Sequence, residues 1–400
     1  MQSQAPSVRH LLGIALLLSG VTATARAQEE TPRGLEVGGL PALDFDSDEG
    51  FGYGVVLEIY YYGEEGLLPY DWTVQPTFKL TTGGRRDITL FLDAPHLLSG
   101  GWRLDAFVGS ERQITTPYYG IGNETAFDPA IDDPDGPDPY YYRYGRTRRT
   151  ASFNLQRPIV SSHLRLLFGA GLVQTTLDPF PRDHGTTLFA LEHGATEETL
   201  WSNYVRGGVV WDTRDRETGP RRGSWTELLV QWVDEGLGAN VNYGRWTLTD
   251  RRYLPIGDRF VFAHRYLLRG FTGNPPTDEL FQVQTSFKQQ EGLGGGKTVR
   301  GVLKNRFVGQ GMLVWNAELR WRAIEFRALN RPFHVVFSAF VDHGRVWAEE
   351  VRLGELLNDL HRGVGGGVRI GMGENFLASV DVGHSSEAGF QVYLGMGYLY

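Results

Sequence analysis

The last eleven residues, Phe390 to Tyr400, read FQVYLGMGYLY. Phe390, Val392, Leu394, Met396, Tyr398 and Tyr400 fall at every second position, with Gln391, Tyr393, Gly395, Gly397 and Leu399 between them. Side chains alternate sides along a β-strand, so the pattern predicts one apolar face and one small or polar face. The period recurs upstream. Trp72, Val74, Phe78 and Leu80 oppose Thr73, Gln75, Thr77 and Lys79. Leu313, Trp315, Ala317, Leu319 and Trp321 oppose Val314, Asn316, Glu318, Arg320 and Arg322. Val364, Val368, Ile370 and Met372 oppose Gly365, Gly367, Arg369 and Gly371. Strands are expected over 35–44, 51–62, 71–81, 86–93, 102–116, 140–157, 163–178, 200–212, 223–234, 243–254, 260–271, 311–326, 333–347, 364–372, 375–384 and 390–400.

A soluble β-sandwich also alternates, with its apolar side turned inward. Two features favour the inverted arrangement. The segments approach the roughly 9–11 residues of a tilted membrane strand, against about 5–6 for a globular one. Aromatic residues also gather near the ends of the apolar faces, as interfacial girdles do. The expected fold is all-β: a transmembrane antiparallel β-barrel of about 16 strands, lipid outside and a polar lumen within. Connections alternate in length. Pro158–Ser162, Pro255–Arg259 and Gly373–Glu374 are short, with Gly63–Tyr70 on the same side. Pro117–Pro139, Pro179–Thr199 and Thr272–Gln310 are long and would face outward.

Composition narrows this further. Arg9 and His10 precede the apolar run Leu11–Leu18, and Ala25-Arg26-Ala27 supplies a small-x-small cleavage pattern. Residues 1–27 therefore read as a signal peptide and 28–400 as the barrel. No later segment approaches the ~18 consecutive apolar residues of a membrane helix. The chain has no cysteine, which excludes disulfides and zinc–thiolate sites. A net charge of -8 offers no general attraction for nucleic acid.

Gly292 to Val302, GLGGGKTVRGV, superficially suggests a phosphate-binding loop. That motif needs a glycine at position 291, where this chain has Glu, and a helix afterwards. Here the run leads through more loop into a strand. The stretch LGGGKTVRG instead resembles the sixth outer loop of the BamA/TamA superfamily of outer-membrane barrels, the bacterial surface antigen family. Other stretches resemble the same family in order. WDTRDRETGPRRGSW looks like its turn between strands eight and nine, with Asp212, Arg214, Asp215 and Gly223. NAELRW carries Glu318, FVDHGRVW carries Asp342, and LPALDFDSDEGFGYG and YYGIGNET resemble its opening hairpin and third loop. The resemblance implies that the loop folds into the lumen and that its tip, Arg300 and Gly301, lodges against Glu318 and Asp342. By alternation alone both carboxylates face inward, and an arginine fork can reach two of them. The resemblance further implies a C-terminal assembly signal at Tyr393, Gly395, Tyr398 and Tyr400. Val302 stands where the family usually has an aromatic residue.

Family members carry polypeptide-transport-associated domains before the barrel. Only a few residues separate Gln28 from the first expected strand, so none is expected here. The implied role is assistance in inserting or transporting proteins at the bacterial outer membrane. The partners would be outer-membrane lipid and a separate periplasmic protein that supplies clients. The alternative is a passive pore or structural barrel. No catalytic residue, metal site or cofactor is assigned. His384-Ser385-Ser386 echoes an outer-membrane phospholipase, but only Glu387 follows as an orienting group. The ten histidines form no i, i+4 pair. Asp128 to Pro139 reads as a solvated acidic loop without calcium-loop spacing.

Overall fold

In the segment Gly223–Val233, Trp225, Glu227, Leu229, Gln231 and Val233 are buried, while Leu228, Val230 and Trp232 are exposed. The exposed row would be an aggregation surface in water and is solvated in hydrocarbon. Phe78, Ile88, Val108, Phe168 and Leu172 continue the exposed apolar band on other strands. Buried Arg103, Arg148, Arg206, Arg245, Arg265 and Arg369 line the inner side. The pattern is the inverted alternation of a membrane barrel, apolar outward and ionised inward.

The computed structural model describes residues 33–46, 50–67, 69–131, 136, 138–183, 185–286, 292–328, 331–373 and 376–400. The expected signal peptide lies outside the described residues, as do 132–135 and 137 of the acidic loop. The strands are β1 (Leu35–Asp46), β2 (Gly50–Tyr61), β3 (Trp72–Thr81), β4 (Arg85–Leu98), β5 (Trp102–Pro117), β6 (Arg143–Pro158), β7 (Leu164–Asp178), β8 (Glu198–Trp201), β9 (Tyr204–Asp212), β10 (Gly223–Val233), β11 (Tyr243–Ile256), β12 (Phe260–Gly273), β13 (Gly311–Ala328), β14 (Arg331–Trp347), β15 (His361–Met372), β16 (Phe376–Ser385) and β17 (Gly389–Met396). All belong to one 17-stranded antiparallel sheet.

The seventeenth strand comes from a break. The sequence predicts a single strand over 200–212, yet β8 pairs with the outer part of β7 and β9 with its remainder. Ser202 and Asn203 lie between them. Asn203 replaces lost ladder bonds with its side chain: Oδ1 accepts from the Val173 N–H at 3.1 Å, and Nδ2 donates to the Leu237 carbonyl at 3.0 Å. Alternation cannot show such an interruption, because apolar residues continue on both sides of it.

The sheet is not zipped shut. β1 and β2 pair at twelve positions and β16 and β17 at eight. Among the described residues the first and last strands meet at one, Asp46 with Tyr393. The C-terminus also departs from expectation. β17 ends at Met396, and Gly397 takes φ +79°, a left-handed turn that an L-residue resists. Tyr400 is therefore buried among Tyr253, Val261 and Ala263 rather than standing on the outer apolar face.

The connection between β12 and β13 turns inward. Its helical turn α1 (Thr277–Leu280) helps form an apolar cluster with Tyr118, Tyr144, Phe189 and Phe281 at the long-loop end. Deeper in, Leu293, Val299, Val302 and Phe307 of the same loop pack on Leu267, Met312, Val314 and Val346 of the wall. Val302 is fully buried, so a branched aliphatic residue fills this position beside the tip.

Candidate functional site

The tip of the in-folded loop starts with a small turn. Gly294 and Gly295 have φ +103° and +81°, and the Gly295 N–H donates to the Val302 carbonyl at 2.9 Å. Thr298 Oγ1 donates to the carbonyls of Gly292 and Gly294 and accepts from the Gly294 N–H. The glycine-lysine-threonine run therefore ties its own backbone together.

The turn presents Arg300, which is fully buried. Its Nε donates to Asp342 Oδ2 at 2.8 Å and its Nη2 to Asp342 Oδ1 at 3.1 Å, a bidentate fork. Its backbone N–H donates to Asp342 as well, at 3.1 Å. Nη1 reaches Glu318 at 3.0 Å and Asp381 at 3.2 Å. The guanidinium also stacks over the Phe340 ring at 3.4 Å. Alternation on β13, β14 and β16 aims the three carboxylates inward, and the ladder register gathers them. Arg320 donates to Glu318 at 2.8 Å, and Arg369 forks onto Asp381. Three arginines thus face three carboxylates, which makes burial of so many charges tolerable. Reading the sequence alone missed Asp381 and Arg369. Both occupy inward positions of expected strands, but nothing in one strand reveals what its neighbours bring alongside.

Backbone contacts fix the next residue. The Gly301 N–H donates to the Tyr393 hydroxyl of β17 at 3.0 Å, and Ser385 Oγ of β16 donates to the Gly301 carbonyl at 2.6 Å. The tip lies almost on the wall. A Cβ on Gly363 would overlap the Arg300 carbonyl, and one on Gly383 would stand 2.6 Å from the Gly301 nitrogen. Gly301 itself has φ +97°. Ser385, the hydroxyl of the phospholipase-like stretch, is occupied in holding the loop, and the neighbouring His384 ring packs 4.6 Å from Phe390.

A second attachment was not anticipated. Asp278 and Glu279 of α1 are buried. Arg148 on β6 donates to Asp278 at 3.2 Å and lies 2.8 Å from Glu279. Arg245 on β11 donates to Glu279 at 3.1 Å. Arg269 on β12 donates to the carbonyls of Leu280 and Gly309, each at 2.6 Å.

The chain forms a single large antiparallel sheet with an in-folded loop, and a family model matches most of it. The Omp85 superfamily domain covers residues 80–395. The chain belongs to the Omp85 superfamily. No curated protein matches the sequence. Among solved structures, BamA from Haemophilus ducreyi lacking POTRA domains 1–3 is similar in fold. Its TM-score is 0.57 at 14% identity, covering 92% of this chain and 71% of that one. CdiB from Escherichia coli gives a TM-score of 0.56 at 12% identity, covering 93% and 64%. Omp85 proteins are outer-membrane barrels that assemble or translocate proteins, and this chain is one of these barrels.

In this Omp85 barrel the turn between β9 and β10 is tightly bonded. Arg214 forks onto Asp212 at 2.9 and 3.1 Å and stacks over Trp225 at 4.3 Å. Asp215 Oδ1 accepts from the N–H groups of Arg221 and Arg222. At Gly223, φ +96°, a side chain would collide with Thr213. Glu217 is bonded by Arg103 at 2.7 Å. Burial would raise the Glu217 carboxyl, but Arg103 outweighs it and holds the group down at about 2.

Of the C-terminal residues, Tyr393 touches the loop tip, whereas Gly395 lies in the β17 ladder opposite Ser379. Tyr398 lies under Arg320, whose guanidinium is 3.9 Å from the ring centroid. The Tyr400 hydroxyl donates to the Ala263 carbonyl at 3.0 Å, and Arg320 donates to the Tyr400 carbonyl oxygen at 3.0 Å. Tyr398 and Tyr400 therefore turn inward, drawn by Arg320 and permitted by Gly397.

Proposed function

We propose that this barrel assists protein insertion or transport through the seam between β1 and β17, and that the Arg300 loop governs the last strand. The observation that carries the reading is that, among the described residues, one ladder position joins β1 to β17. Backbone groups left without a ladder partner are a template on which an extended client segment adds as a new strand. The loop tip supports the second half of the reading, because the Gly301 N–H donates to Tyr393 on that same last strand. Arg300 acts as a latch: its bonds to Asp342, Glu318 and Asp381 set where Gly301 meets β17. A separate periplasmic protein delivers clients to the short-turn end. The passive-pore alternative fits less well. The loop enters the lumen and is bonded to the wall at its tip and at its start, which obstructs a free passage.

The chain has no cysteine, so an introduced pair is unambiguous. Phe45→Cys with Leu394→Cys flanks the Asp46–Tyr393 position in antiparallel register. In liposomes, oxidation of this pair is expected to block insertion of a urea-unfolded barrel client, with reductant restoring it. Equal insertion by oxidised and reduced protein would exclude the seam as the route. Periplasmic proteins that copurify with the barrel test the delivery step.

A further inference from the structure

The wall strands β4 to β7 carry a charge pattern on their outer side that the loop does not explain. Arg86 on β4 and Arg112 on β5 sit directly opposite each other in the ladder, both exposed. Arg149 on β6 pairs with Ser110, one diagonal step from Arg112, and is exposed too. Their chain neighbours Asp87, Gln113 and Arg148 are buried toward the lumen. The three arginines therefore stand on the surface that meets lipid. Like charges directly opposite in a ladder repel. Among the described residues neither Arg86 nor Arg112 has a carboxylate partner, and Arg149 donates to the neutral Gln174 at 2.7 Å.

The apolar surface next to them is concave. A depression of about 890 Å³ is lined by Val55, Leu57, Phe78, Leu90, Val108 and Leu172, with Arg149, Gln174 and Trp201 at its border. β4 starts at the long-loop end, and Arg86 is its second residue, on the headgroup side of the hollow. Leu90 lies on the order of 13 Å further along the strand in the direction of the bilayer centre at ~3.3 Å per residue. Uncompensated cations above a lipid-facing hollow match one class of molecule, an amphiphile with an anionic head and several acyl chains. Guanidinium groups suit phosphate especially well, through forked charge-assisted hydrogen bonds.

We propose that the outer face of β2 to β7 binds a phosphorylated lipid of the outer leaflet. Its phosphate sits among Arg86, Arg112 and Arg149 and its acyl chains fill the hollow. The site is separate from the seam and the loop, and its test does not depend on client handling. The barrel in phosphatidylcholine nanodiscs is titrated with hexa-acyl bis-phosphorylated lipid A and with the dephosphorylated form, and bound lipid is counted by native mass spectrometry. The expected preference for the phosphorylated form is about tenfold, the sum of three exposed charge contacts. Arg86→Gln, Arg112→Gln and Arg149→Gln combined should abolish that preference. Arg362→Gln, an exposed arginine on β15, should leave it intact. Should the triple variant fail to show the heat-dependent gel shift of a folded barrel, Arg112→Gln alone decides, with a loss of about threefold expected. Equal binding of the two lipids by the unaltered protein would overturn the proposal, as would an unchanged preference in the folded variants. A lipid-free dimer that the same substitutions dissociate would assign the face to a second copy instead.

Discussion

The in-folded loop is held at two places by ion clusters of opposite polarity. At its tip the loop supplies the cation, Arg300, and the wall supplies Asp342, Glu318 and Asp381. At its start the loop supplies Asp278 and Glu279, and the wall supplies Arg148 and Arg245. The difference is one of redundancy. A single loop guanidinium, that of Arg300, serves three strands at the tip. At the start two carboxylates share two arginines, so one loss leaves a partial set. The tip is also insensitive to pH on its cationic side, because a guanidinium stays protonated. The start contains a group that titrates.

The comparison breaks most sharply at Arg300. Arg300→Met leaves Asp342 buried without its fork, and is expected to cost about 3–5 kcal/mol. Unfolding in urea should show this loss, and protease should cut near Gly301. Arg300→Lys should not rescue, because an ammonium cannot form the fork. Glu279→Gln should cost less, about 1.5–3 kcal/mol, since Arg148 keeps Asp278 and Arg245 keeps the Gln282 carbonyl. Cleavage should then appear near α1 and not at the tip. Equal loss from both variants would show that the two attachments are not graded by redundancy. Tyr393→Phe removes one hydrogen bond to Gly301, worth about 0.5–1.5 kcal/mol. It should speed amide exchange at Gly301 with little change in the unfolding midpoint.

The smallest expected effect is one of pH. Burial, and then the adjacent Glu279, push the Asp278 carboxyl up to about 6. A carboxyl raised by folding stabilises fully below its unfolded value of about 3.9. That contribution is lost as pH rises through about 6. Burial also acts to raise Glu279, but Arg148 and Arg245 outweigh it and hold that group below its usual value. Amides of Leu280 to Gln282 should exchange faster at pH 7 than at pH 5, after correction for the intrinsic rate. Amides at the tip should show no such change.

The wall was largely legible as sequence. Strands expected at 102–116, 163–178 and 223–234 appear as Trp102–Pro117, Leu164–Asp178 and Gly223–Val233. A period of two survives any change in tertiary detail, because lipid and lumen impose it on every strand. The inward aim of Glu318 and Asp342 follows from the same period. What alternation omits is register. It could not reveal that Arg369 and Asp381 lie beside Glu318, nor that Gly363 and Gly383 form a bare strip under the tip. It also fails where the chain stops being a strand. Tyr398 and Tyr400 keep the spacing of an outward row, yet Gly397 turns them inward onto Arg320. Asp278 and Glu279 carry no periodic signal at all, because their role depends on arginines more than a hundred residues away in one case.

The ion-pair partners of the loop's start and tip are divided by chain order, while Arg265 and Leu267 of β12 also touch the tip. Arg148, Arg245 and Arg269, which receive its start, all precede it. Glu318, Asp342, Asp381, Ser385 and Tyr393, which receive its tip, all follow. The segment therefore works as a clasp between an earlier and a later half of the wall. As the polypeptide emerges from its N-terminus, the first fastening can form with groups already made. The second must wait for β16 and β17, which carry Asp381, Ser385 and Tyr393, so seating of the tip reports that these later strands have been delivered.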